Sequence, residues 1–179
     1  MTEPAKFHMP TDDDQIKQLH AGDELLVSGT IYTARDMAHK RMIEAIERGE
    51  ELPFEPAGAG IYYVGPTPAR PGMPLGSAGP TTSSRMDAFT PALLERGVKV
   101  TMGKGYRGEA VRDALKEYCG VHLATIGGAA ALLAKHIVSA EVIAYEDLET
   151  EAVRKLRVVD FPAVVAYDCY GNSVYKAND

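Results

Sequence analysis

Three basic residues stand where this chain is set up to begin a helix or a glycine turn: Arg35 in TARDMAHKRM, Arg85 in GPTTSSRMD and Lys104 in GKGYRG. The start of a helix carries partial positive charge, and arginine adds a planar fork matched to the two oxygens of a carboxylate. Lysine adds a mobile charge beside glycines that let backbone N–H groups approach an anion. Two or three such groups suit a small dicarboxylate. Thr81, Thr82, Ser83 and Ser84 place four hydroxyls directly before Arg85, which is the signature of a helix start. Taken singly, each arginine reads better as a surface residue capping its helix or pairing with Asp36 or Asp87. Their joint occurrence turns the reading toward a ligand.

The glycines of the third stretch also satisfy GxGxxG, as Gly103, Gly105 and Gly108, between an apolar run and a helical pattern. A dinucleotide site needs an acidic residue about 20 positions further on, and His122, Leu123, Ala124 and Thr125 stand there instead. A nucleotide-binding module built on Gly103–Gly108 is thus the weaker alternative, from a different functional class. A phosphate-binding P-loop is rejected, because Gly97 lies one residue too far from Lys104 and Gly105 replaces the required hydroxyl residue. Alone, this loop is best read as a tight turn with a solvated lysine. His39 shares a helix face with Arg35 and is expected to be a packed structural residue.

These residues need a scaffold. The 179 residues suffice for one core, and the alternation of elements implies an α/β layered domain. Thr11 is expected to cap a short helix reaching Leu19, followed by a strand at Leu25–Ile31 and a helix opened by Thr33 or Asp36. Ala38, Met42, Ala45 and Ile46 give that helix its apolar face, and Gly49 ends it. A strand at Ile61–Val64 precedes the segment 65–80, where five of the eleven prolines exclude regular structure. A helix starts near Arg85 and restarts at Pro91, then a strand spans Val98–Met102 and an amphipathic helix carries Ala110, Val111, Ala114, Leu115 and Tyr118. Further strands are expected at Val121–Ala124, Glu141–Tyr145, Leu156–Val159 and Ala163–Tyr167, with a Gly127-Gly128 turn and a small-residue helix at Ala129–His136.

The net charge of −6 argues against a sequence-independent grip on nucleic acid. The longest apolar stretch, Leu123–Ala134, is far short of the roughly 20 residues that span a bilayer. The acidic, proline-broken N-terminus is unlike a signal peptide, and a reduced cytoplasmic setting fits. Cys119 and Cys169 have no CxxC partner, so they are expected to be buried or idle thiols and not ligands of a cluster. No metal-ligand set is assigned.

TARDMAHKRM at 33–42, GPTTSSRMD at 79–87 and GKG at 103–105 resemble the signature stretches of the beta subunits of class I, iron-sulfur-dependent fumarases. IGGAAALLA at 126–134 and DFPAVVAYDCYGN at 160–172 continue the resemblance, which covers most of Asp23–Asn172 in order. The beta subunits of L-tartrate dehydratases share the pattern. The resemblance implies a swivelling β/β/α domain over 23–179, preceded by an arm and short helix over 1–22. It implies a hydro-lyase that hydrates fumarate to L-malate, with L-tartrate or mesaconate as alternative chemistry on the same scaffold. Arg35, Arg85 and Lys104 would bind substrate carboxylates, and Thr81 would lie beside the reacting carbons as base or orienting group. A four-iron cluster would be held by a partner alpha subunit in a hetero-oligomer that also has homodimeric contacts. Two departures stand out: DLETEAV at 147–153, and the proline-rich run before GPTT.

Overall fold

The computed structural model describes residues 3–125 and 130–176. The chain is mixed α/β with a sheet-dominated core. Its elements are β1 (Ala5–Met9), α1 (Asp13–Ile16), β2 (Glu24–Thr33), α2 (Asp36–Glu47), β3 (Gly60–Tyr62), a 3-10 turn at Ser83–Met86, α3 (Thr90–Glu95), β4 (Val100–Gly103), α4 (Glu109–Glu117), β5 (Val121–Ala124), α5 (Ala130–Ala134), β6 (Ile137–Ala144), a second 3-10 segment at Glu146–Glu151, and β7 (Val153–Tyr167). The expected Gly127-Gly128 turn lies outside the described residues.

Strands β1 to β5 run parallel in chain order, and β7 lies antiparallel to β2, β5 and β6. Because β7 pairs with both β2 and β5, the pairings β2–β3–β4–β5–β7–β2 close a ring. The main core fills that ring. Leu25, Val27, Ile31, Tyr62, Val100, Met102, Val121, Leu123, Leu156, Phe161 and Val165 belong to it. Side chains alternate across a strand, so Ile61 and Tyr63 face outward into a second cluster with Ala38 and Met42 of α2 and Leu93 of α3. A third cluster seats Val111, Ala114 and Leu115 of α4 against Ala166 and Tyr167. Burial on both faces explains why β3, β4 and β5 read as short, continuously apolar runs.

The helix expected to start near Arg85 is only a 3-10 turn, Ser83–Met86, with Arg85 in its last turn, and the strand expected at Glu141–Tyr145 spans Ile137–Ala144. Other differences have local causes. Asp12, not Thr11, caps α1, its carboxylate accepting from the Gln15 N–H at 2.9 Å. Strand β1 was not expected, since only Phe7 and Met9 face inward and prolines flank it. The two strands expected at Leu156–Val159 and Ala163–Tyr167 are one. Its buried positions pass from Leu156 and Val158 to Phe161, Ala163 and Val165. This change of parity occurs at Asp160, which has φ 51°, opposite the register shift between Val27 and Gly29. A bulge therefore reads as a break to any period-two test. Gly29 fits here for two reasons: its φ is +111°, and a Cβ would sit 2.1 Å from the Met9 carbonyl oxygen.

Candidate functional site

The parallel strands end along one edge, and the loops that follow them carry the predicted residues. The carboxyl ends of parallel strands are where ligands bind in closed parallel barrels as in open α/β sheets. Arg35 follows β2 as the extended residue before α2, with φ −118° and ψ −161°. Lys104 follows β4. Between the ends of β3 and β4, the chain from 81 to 83 returns to the sheet. The Thr81 N–H donates to the Tyr63 carbonyl at 2.7 Å, and the Ser83 N–H donates to the Lys104 carbonyl at 2.8 Å. Thr82 pairs with Lys104 in a parallel bridge. This insertion requires Gly103, because a Cβ there would lie 2.2 Å from Ser83 Oγ and 3.2 Å from the Thr81 carbonyl oxygen.

Arg85 projects from the short 3-10 turn toward α2. Its Nε and Nη2 donate to Oδ1 and Oδ2 of Asp36 at 3.1 and 2.8 Å. Arg35 Nε lies 3.9 Å from the same carboxylate and is buried without a hydrogen-bond partner. Gly65, after β3, leaves room for the Arg35 guanidinium, since a Cβ would come within 2.9 Å of Nη1. Thus Asp36 gathers both arginines, while Thr81 and Lys104 are joined through backbone bonds two strands along the same edge. Pairing of Arg85 with Asp36 does not exhaust the arginine: a guanidinium has five N–H donors, and this fork uses two. The Lys104 side chain is exposed.

Sequence reasoning missed the buried residue that braces this edge. Arg107 is wholly buried, and its guanidinium donates to Asp87 Oδ1 at 2.8 Å, Tyr63 Oη at 3.0 Å and Thr90 Oγ1 at 2.6 Å. It lies in the same GKGYRG stretch as Lys104, where a second basic residue was the available signal. Asp87 Oδ2 also accepts from the Gly108 N–H at 2.7 Å. The amide at the start of α4, which a nucleotide phosphate would need, is therefore already engaged by a side chain of the chain itself.

His39 is fully buried, stacks on Phe89 and meets Tyr63 edge-on. Its Nδ1 is 2.7 Å from the Arg35 carbonyl, so the neutral ring donates there and supports the residue that turns into the site. Burial, opposed in part by that bond, pushes its pKa down to about 4. His122 is also buried, with Nδ1 2.8 Å from Thr101 Oγ1, and burial followed by the nearby Arg107 charge lowers its pKa well below the usual range.

A four-iron cluster needs three or four thiolates. The chain has two cysteines, and among the described residues no three His, Cys, Asp or Glu side chains come together to hold a metal. The residues present do not fit such a cluster. They fit an anion. Among the described residues, no helix is long and apolar enough to cross a membrane.

The family model described as Fumarase C-terminus matches residues 4–178. The chain belongs to this family. Fumarate hydratase 2 of Leishmania major is 40% identical over 164 residues, covering 90% of this chain and 29% of that protein. The anaerobic class I fumarate hydratase of Escherichia coli strain K12 is also 40% identical over 164 residues, covering 90% of this chain and 30% of its own length. The chain thus spans about a third or less of these curated relatives. A putative L(+)-tartrate dehydratase subunit beta of Methanocaldococcus jannaschii is 36% identical over 176 residues, covering 95% of this chain and 90% of that protein. Within the Fumarase C-terminus family, the matched span takes in Arg35, Thr81, Arg85 and Lys104.

Proposed function

We propose that this chain is the beta subunit of an iron-sulfur hydro-lyase that reversibly hydrates fumarate to L-malate. The observation that carries the proposal is the convergence of Arg35 and Arg85 on Asp36, on the edge that also presents Thr81 and Lys104. One substrate carboxylate would take the free donors of Arg85 and Arg35, and the other would lie toward Lys104. Thr81 would stand beside the two carbons that gain hydroxyl and hydrogen. A threonine hydroxyl is a weak base, and the Asp36 carboxylate of the same edge is committed to Arg85. Orienting the substrate is therefore the role we favour for Thr81 over proton removal. We assign the cluster to a partner alpha subunit in a cytoplasmic hetero-oligomer, because the donor set of this chain does not suit it. We also propose the swivelling β/β/α arrangement, which would present this open edge to that partner.

The test combines the chain with a cluster-bearing alpha subunit under anaerobic conditions and follows fumarate hydration. Arg85→Met is expected to lower kcat/KM by about two orders of magnitude or more, as losing one member of a hydrogen-bonded charge pair does. Undiminished hydration by Arg85→Met overturns the assignment. L-tartrate dehydration is the second reading, favoured by a relative of that printed name matched over 90% of its length. A panel of fumarate, L-tartrate and mesaconate separates the two.

A further inference from the structure

We propose that Cys119 and Cys169 are a redox-active pair that closes into an intramolecular disulfide when a small-molecule disulfide is the oxidant. Fifty positions apart in sequence, the two thiols are brought together by the fold. His122 pairs with Tyr167 across antiparallel β5 and β7. Just beyond that pair the chain leaves both strands, through Gly120 and Cys119 before β5 and through Asp168 and Cys169 after β7.

Two further contacts place the same segments side by side. A Cβ on Gly171 would lie 3.2 Å from the Lys116 side chain, one helical turn before Cys119. Both segments also rest on the first helix: Cys119 Sγ reaches the Asp13 carbonyl at 3.8 Å, and the Tyr170 hydroxyl donates to the Lys17 carbonyl at 2.7 Å. The turn that carries Cys169 is pinned by Asp168, which accepts from the Ala21, Tyr170 and Asn172 N–H groups. Both thiols are free and half-buried, so an oxidant of small size can reach them. Burial, and then the neighbouring Cys119 thiol, push the Cys169 pKa up to about 11, which fits two sulfurs within reach of one another.

The step balances as a thiol–disulfide exchange. One cysteine thiolate attacks a sulfur of the oxidant and releases one small thiol, leaving a mixed disulfide. The second cysteine displaces the other small thiol. The protein loses two electrons and two protons, and the oxidant is reduced to two thiols. The closed bond would fasten the end of α4 to the C-terminal turn, whose Tyr175 ring lies tilted against Tyr106 beside Lys104.

The test needs neither a partner nor a substrate. The full chain is incubated with glutathione disulfide, alkylated, and examined by intact mass and peptide mapping, with Cys119→Ser in parallel. Wild type is expected to lose both alkylatable thiols, to weigh less by two hydrogens, and to yield one cross-linked peptide. Its Tm is expected to rise by about 5–10 °C and to fall back on reduction, because the bond closes a long loop. Cys119→Ser is expected to show neither change. The proposal is overturned if wild type keeps both thiols, stops at glutathione adducts, or links only to a second copy.

Discussion

Asp36 and Asp87 each hold an arginine, and burial decides how much each pair contributes. The Arg85 and Asp36 side chains are 49% and 32% exposed, so water screens their attraction. Asp36→Asn is expected to change unfolding free energy by less than about 1 kcal/mol. The Arg107 side chain is 0% exposed and has no water to fall back on. Arg107→Met is expected to cost about 3–5 kcal/mol, because it takes the buried counter-charge from Asp87 and breaks the guanidinium bonds to Tyr63 and Thr90. Urea unfolding of both variants reads the contrast, and equal losses would contradict it. Arg85 is held loosely enough for a ligand to share it, whereas Arg107 is fixed as framework. Sequence singled out Arg35, Arg85 and Lys104 because helix starts and glycine turns are local signals. It could not single out Arg107, whose importance comes from Tyr63, Asp87 and Thr90, distant in sequence, closing around it.

At the scale of elements, the site depends on the insertion of residues 81–83 between the ends of β3 and β4. Gly103 is the residue that permits it. Gly103→Ala is expected to destabilise by about 1–3 kcal/mol through overpacking, and to raise KM for the proposed dicarboxylate, since Thr81, Arg85 and Lys104 move with this contact. Adding Ser83→Ala removes the nearest clashing atom and is expected to restore part of both losses. The Thr81 carbonyl at 3.2 Å and the Tyr63 ring at 3.0 Å from the new Cβ prevent full recovery. A double variant no better than Gly103→Ala would show that the hydroxyl is not the obstacle. The strand preceding Gly103 was legible as an apolar run, but the return of the chain beside it was not. Segment 65–80 has no period from which a path could be read, and Tyr63 and Lys104 accept the returning chain through backbone groups that every residue possesses.

For the whole molecule, the buried histidines set how stability varies with pH. The folded pKa of His39, about 4, lies below its ordinary value of 6.5. Between those limits the unfolded chain binds the proton and the folded chain does not, so stability falls as pH drops through that window. For His39 the loss at pH 5 relative to neutral pH is about 2 kcal/mol. His122 shifts in the same direction, first through burial and then through Arg107. Urea midpoints at pH 7 and pH 5 are expected to differ accordingly, with a smaller difference in His39→Asn. An unchanged slope in that variant would mean that His39 does not carry this dependence.

The sequence by itself determined which residues could bind an anion, where most elements lie, and which family pattern they follow. Those features are local: caps, glycine turns and apolar periods act over a few residues. Only the tertiary structure decided that Asp36 joins the two arginines, that Asp87 engages the start of α4, and that β7 runs unbroken through its bulge at Asp160. It also brought together two cysteines that no spacing rule connects. The arginine contacts follow from the parallel pairing of β2, β3 and β4, and the course of β7 from its pairing with both β2 and β5. Pairing between strands so distant in the chain is settled by packing of the shared core, which no short window of sequence contains.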